Sequence, residues 1–112
     1  MFTKANNTPF HDVIKGIEKR TLVYGEKTLM TEFRLQKGST LPSHAHPHEQ
    51  TGYLVSGRIQ LTIGDQTYDA AAGDSWCIHG DVSHSARCLD DAVAVEVFAP
   101  LREDYLPDPE GH

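Results

Sequence analysis

The chain has no run of apolar residues long enough to cross a bilayer as a helix. It has no convincing amphipathic helical period, no low-complexity segment and no internal repeat. Positive charge is scarce: 10 Lys and Arg stand against 16 Asp and Glu, for a net charge of −6. That balance argues against nucleic acid and anionic membranes as partners. Cysteine is reduced to Cys77 and Cys88, without the spacing of a metal knuckle. The opening Met1-Phe2-Thr3-Lys4-Ala5-Asn6-Asn7 carries no apolar signal core. A cytoplasmic location is therefore expected, with both cysteines as reduced core thiols rather than a disulfide.

What remains is a chain of 112 residues punctuated by nine glycines and six prolines. That length supports a single domain over 1–112, with an N-terminal arm at 1–12 and a flexible tail at 107–112. Between them the period is two. Leu29, Thr31, Phe33 and Leu35 alternate with Met30, Glu32, Arg34 and Gln36, and Ile59, Leu61 and Ile63 alternate with Arg58, Gln60 and Thr62. Residues 18–24 read as an edge strand, and Tyr53–Ser56 as a strand that stops at Gly57. Gly64-Asp65 reads as a hairpin turn. Residues 66–70, 75–78, 84–88 and 92–98 read as further strands, with Asp90-Asp91 a turn between the last two. Residues 101–106 can form one helical turn. Eight or nine short strands with turns every 8–12 residues define an all-β sandwich or barrel.

Chemistry concentrates in Gly38-Ser-Thr-Leu-Pro-Ser-His44-Ala-His46-Pro-His48-Glu49-Gln50-Thr-Gly52-Tyr-Leu-Val-Ser-Gly57. His44 and His46 sit at i and i+2, which places two imidazoles on one face of an extended strand. Gln50 shares the parity of His46. His84, opening a distant strand among small neighbours, is the candidate to complete the set. Three imidazoles and one amide oxygen suit one divalent transition metal, and Zn, Ni, Mn, Fe and Cu all accept them. Neutral ligands add no charge to offset the ion, which keeps it a strong Lewis acid. The competing readings are surface histidines with no ligand role, and Gln50 as a hydrogen-bonding neighbour of the site. Pro47 can rotate His48 outward, which makes it a surface residue or a supporting neighbour of the ligands, and the opposite parity of Glu49 points it away. His79 either lines the pocket mouth or lies in a surface loop.

The spacing Gly38-x5-His44-x-His46-x3-Gln50-x6-Gly57 resembles the first motif of the cupin superfamily, whose fourth ligand is usually Glu. Gly73 and His84 fit the second motif. His79 stands where that motif has Pro, Asp81 where it has Gly, and Cys88 where it has Asn. The resemblance implies a single-domain cupin jelly-roll barrel with a metal in its mouth, held by His44, His46, Gln50 and His84, and a homodimer.

In the last strand Ala94, Glu96 and Phe98 share one face, and Val93, Val95 and Val97 the other. If the first face is interior, Glu96 is a carboxylate beside the metal and Phe98 an apolar wall. If the valines face the core, Glu96 is an outward residue. Arg102 is either a bidentate clamp for a substrate carboxylate or a partner of Glu103 or Asp104. The string His-x-His-Pro-His-Glu-Gln, the acid and Phe of the last strand, and the tail Pro-x-Arg-Glu-Asp-Tyr resemble the small cupins of pectin and alginate catabolism. Those enzymes convert 4,5-unsaturated uronates to linear keto forms. The resemblance implies Glu96 and Arg102 as catalytic residues, Phe98 and Arg102 as substrate-binding residues, and an anionic sugar as substrate. Glu96 stands where that group usually has Asp. Two other readings stay open: an iron-dependent dioxygenase, and a cupin that binds a small ligand without catalysis.

Overall fold

Period-two alternation sets the architecture. The structure is a computed structural model that describes residues 1–5 and 8–107. Its strands are β1 (His11–Ile14), β2 (Ile17–Tyr24), β3 (Leu29–Leu35), β4 (Thr40–His44), β5 (Glu49–Ile63), β6 (Gln66–Ala71), β7 (Ser75–Ile78) and β8 (His84–Ala99). One 3₁₀ turn, Glu103–Tyr105, follows. No helix among the described residues is long and apolar enough to cross a membrane.

The strands run antiparallel in the order β1-β2-β3-β8-β5-β6, with β4 added to β8 and β7 to β5. The two long strands each serve two sheets. Residues 92–98 of β8 pair with β3, and residues 84–87 pair with β4. Residues 50–53 of β5 pair with β7, and residues 58–63 with β6. The result is a jelly-roll barrel whose interior lies between the two halves of the same strands.

Three expectations change here. Gly57 and Asp90-Asp91 do not end strands; they bend continuous ones, where the β5–β8 register slips between Leu54 and Ile59. A bulge lets a strand turn a corner and keep its ladder. Gly57 has φ 85°, and a Cβ there would run into the Asp91 carbonyl and Ala92. Residues 18–24 are an edge only in part, because β1 pairs with Ile17, Glu18 and Lys19 and stops there. Cys88 is a core thiol, but Cys77 is exposed. Cys77 lies between Trp76 and Ile78 on the outward parity of β7, and Ile78 is the buried neighbour. Of the expected tail, all but Pro107 lies outside the described residues.

Leu54, Ile59, Leu61, Cys88, Ala92 and Ala94 form the centre of the core. On the outer face of β3, Glu32 is 8% exposed. Arg20 donates to Glu32 Oε1 from Nε and Nη2 at 3.0 and 2.8 Å, and Arg34 Nε donates to Oε2 at 3.0 Å. Arg20 Nη1 also donates to the Ala5 carbonyl at 2.6 Å and ties down the arm. Burial pushes the Glu32 pKa up, but the two guanidiniums outweigh it and hold the value below the ordinary one. A carboxyl depressed in the folded state stabilises above its unfolded pKa and loses that contribution as pH falls through the folded value. Glu32→Ala strands a half-buried guanidinium and is expected to cost roughly 3–5 kcal/mol. A lowered urea midpoint with unchanged slope is the measurement. The deficit should shrink as the pH is lowered into the acid range.

Candidate metal centre

The barrel interior has a polar end built from both sheets. His44 closes β4 and lies directly across from His84, the first residue of β8. His46 comes from the loop between β4 and β5. That loop is braced from outside: Asp81 N–H donates to the His46 carbonyl at 2.7 Å, and Gly80 packs so closely on the Pro47 carbonyl that a Cβ would not fit. Asp81 itself has φ 66°. This is the left-handed region that Gly adopts freely and Asp tolerates.

The three imidazoles are oriented alike. His44 Nδ1 lies 3.0 Å from the Pro42 carbonyl, His46 Nδ1 3.0 Å from the His48 carbonyl, and His84 Nδ1 2.9 Å from the Val82 carbonyl. A carbonyl only accepts, so each Nδ1 carries the hydrogen and each Nε2 presents a lone pair. The ring centroids of His44 and His84 are 4.2 Å apart, and those of His46 and His84 are 5.0 Å apart. The ligand nitrogens of all three lie within 4.8 Å of one another. Burial lowers the pKa of His46 and of His84. The neutral form, which binds metal, is thereby favoured.

Gln50 joins this cluster from β5. It is 5% exposed and donates from Nε2 to Glu96 Oε2. Its Oε1 is buried without a partner, as are Nε2 of His46 and Nε2 of His84. Orphaned buried acceptors are costly, and the nitrogens of His46 and His84, clustered with that of His44, fit a bound cation. His44, His46 and His84 form a neutral nitrogen donor set suited to a divalent transition metal, and Gln50 lines the same cavity.

Glu96 settles the parity question of the last strand. Ala94 and Phe98 are 3% and 2% exposed, and Glu96 lines the cavity with them. Burial raises the Glu96 pKa to about 7, against the opposing pulls of Gln50, Trp76 and Arg102. The Trp76 indole N–H makes no formed hydrogen bond, yet lies close enough to draw that value down. Its ring lies flush on Gly52, the residue paired with Glu96, where a Cβ would collide with it.

Arg102 reaches the same cavity with its guanidinium 5.2 Å from the Phe98 ring centroid and 4.1 Å from that of Tyr105. Of its two readings, the ion pair with Asp104 is formed. Its Nε and Nη2 donate to Asp104 at 3.0 and 2.7 Å, so the bidentate edge is taken and Nη1 is the group left over.

The cavity measures about 300 Å³ and is otherwise apolar, with Phe33, Leu35, Leu41, Ile59 and Leu61 among its walls. Of the other candidates, His48 supplies its carbonyl to His46, whereas Glu49 and His79 stand outside, 3.5 Å apart. His112 lies outside the described residues.

Sequence reasoning overlooked Tyr105 and Trp76. Tyr105 sits edge-on to Phe98 at 5.3 Å and to Phe33 at 6.5 Å. Lys19 Nζ caps its ring at 3.1 Å, and burial lowers the Lys19 pKa to about 8. An aromatic one turn beyond Arg102 in a polar tail was the available signal.

A family profile described as "Cupin domain" matches residues 31–99, which include His44, His46, Gln50, His84, Glu96 and Phe98. The chain is 23% identical over 103 residues to the pectin degradation protein KdgF of Dickeya dadantii (strain 3937), spanning 90% of this chain and 94% of that one. Among solved structures, KdgF from Halomonas sp. superposes with a TM-score of 0.89 at 23% identity, covering 95% of this chain and 98% of the other. An RmlC-like cupin from Shewanella frigidimarina NCIMB 400 gives 0.89 at 27% identity, covering 94% and 95%.

Proposed function

The chain belongs to the cupin domain family, and from that premise we propose that it is a metal-dependent enzyme converting 4,5-unsaturated uronates to linear keto forms. The observation that carries this reading is the Gln50 amide, which lies close enough to His46 to raise its pKa, donates from its nitrogen to Glu96 and leaves its buried oxygen without a partner. An acid and a Lewis-acid site are thus joined through one side chain. Similarity to the pectin degradation protein KdgF supports the substrate class.

His44, His46, Gln50 and His84 would hold one divalent transition metal, which when bound supplies a Lewis acid able to polarise a substrate oxygen. The other work falls to the chain itself. Glu96, with a pKa near 7, is poised to give a proton to C4 of the enol ether. Water adds at C5, and the resulting hemiketal opens to the ketone. Arg102 holds the substrate carboxylate through Nη1, and Phe98 and the apolar walls shield the reacting ring from bulk water. The enzyme acts in the cytoplasm as a homodimer, for which the exposed Tyr53 and Val55 on the outer face of β5 offer apolar surface.

The direct test follows the ultraviolet absorbance of an unsaturated galacturonate. Metal-loaded protein should remove it faster than the spontaneous rate and take up no dioxygen; loss at the spontaneous rate overturns the reading. Arg102→Leu should raise KM about tenfold or more, the value of one charged hydrogen bond. The same change deletes a cation that lowers the Glu96 pKa. The alkaline limb of the rate profile, where the acid loses its proton, is therefore expected to move to higher pH.

A further inference from the structure

A second group of metal-ligating side chains stands outside the barrel. Gln50 pairs with Ile78 and Thr51 with Cys77 across β5 and β7. One position further along, Glu49 comes opposite His79. Gln50 and Ile78 are buried, so alternation turns Glu49, Cys77 and His79 to the outer face, where all three are exposed. Cys77 Sγ, a ring nitrogen of His79 and a carboxylate oxygen of Glu49 lie within 4.8 Å of one another. Glu49 Oε1 is 3.5 Å from His79 Nδ1.

We propose that Glu49, Cys77 and His79 form a second metal site, for a thiophilic divalent ion of the zinc type with solvent as fourth ligand. Thiolate, imidazole and carboxylate together select zinc, cobalt or cadmium over magnesium and calcium. Bonds of about 2.0–2.3 Å put the donors of a tetrahedral ion roughly 3.5 Å apart. Glu49 and His79 already stand at that separation, and Cys77, within 4.8 Å of both, needs to close by at most about 1.3 Å. Binding forms a metal–sulfur bond and releases the Cys77 thiol proton to solvent, with no change of oxidation state.

The frame is preformed. Both ligand-bearing strand ends belong to one ladder, and the Asp81-to-His46 hydrogen bond and the Gly80–Pro47 contact join the loops beyond them. A surface ion pair would account for Glu49 and His79 alone. It leaves the thiol beside them without a role.

Cobalt titration of the full chain, kept reduced with a phosphine, tests the site. The interior cluster has no sulfur ligand, so a sulfur-to-cobalt charge-transfer band in the near ultraviolet reports Cys77. The parent protein should bind two cobalt ions per chain and show that band. Cys77→Ser should abolish the band and one equivalent, and leave the visible bands of the other. His79→Ala should weaken the affinity read from the band about tenfold or more, the loss that even an outer partner of a metal produces. Absence of the band in the parent, or its survival in Cys77→Ser, overturns the proposal. Cys77 is exposed, and circular dichroism of the serine variant verifies the fold.

Discussion

Glu96→Gln is expected to lower kcat for ketonisation of an unsaturated galacturonate by about 10²–10⁴-fold, the usual worth of a positioned general acid. KM should change little, because the proton moves only in the transition state. Metal content should hold, since a glutamine oxygen at 96 still accepts from Gln50 Nε2. A fall in metal content equal to the fall in rate would instead make Glu96 a positioning residue. A second readout separates the two. Burial raises the Glu96 pKa to about 7 in the fold, above the roughly 4.3 of an unfolded chain. The folded state then binds the extra proton, and stability declines as pH rises across that window. The metal-free Glu96→Gln variant should therefore unfold later than the metal-free parent at pH 8, and alongside it at pH 4. Activity and stability move in opposite directions, as expected of a carboxyl buried for chemistry rather than for packing.

His84→Ala should reduce the interior metal to near zero and the ketonisation rate to background. His84 is 4% exposed, has its Nδ1 fixed by the Val82 carbonyl, and directs an unpartnered Nε2 at the cluster. Metal analysis after dialysis, beside the absorbance assay, measures both losses. Thermal unfolding adds an independent check. A ligand that binds only the folded state stabilises it by about 2.7 kcal/mol at a hundred times its Kd. A chelator should accordingly lower the Tm of the parent and leave that of His84→Ala nearly unchanged. A variant that keeps its metal would show that His84 is not a ligand.

Short-range pattern made much of this legible beforehand. Alternation at 29–36 and 58–63 located β3 and half of β5, because one side of each strand packs inward and the other meets solvent. The i, i+2 pair His44 and His46 needed only the geometry of a strand. Long β5 and β8 were less legible. Gly57 and Asp90-Asp91 carry the composition of turns, and a bend inside a strand uses the same residues as a turn between strands. Cys77 was misread for a related reason: a four-residue strand bears too little pattern to show which parity is inward.

The sequence by itself determined the all-β class, the position of the histidine motif and the two faces of the last strand, since each depends on neighbours within a few residues. Only the tertiary structure decided which of those faces is interior. That choice depends on what surrounds residue 96, and there the Gln50 amide, the Trp76 indole and the Arg102 guanidinium arrive from separate parts of the chain. It also decided that Asp104 holds two donors of Arg102, and that Tyr105 closes over Phe98. Burial and mutual orientation are properties of the assembled barrel, and no local period encodes them.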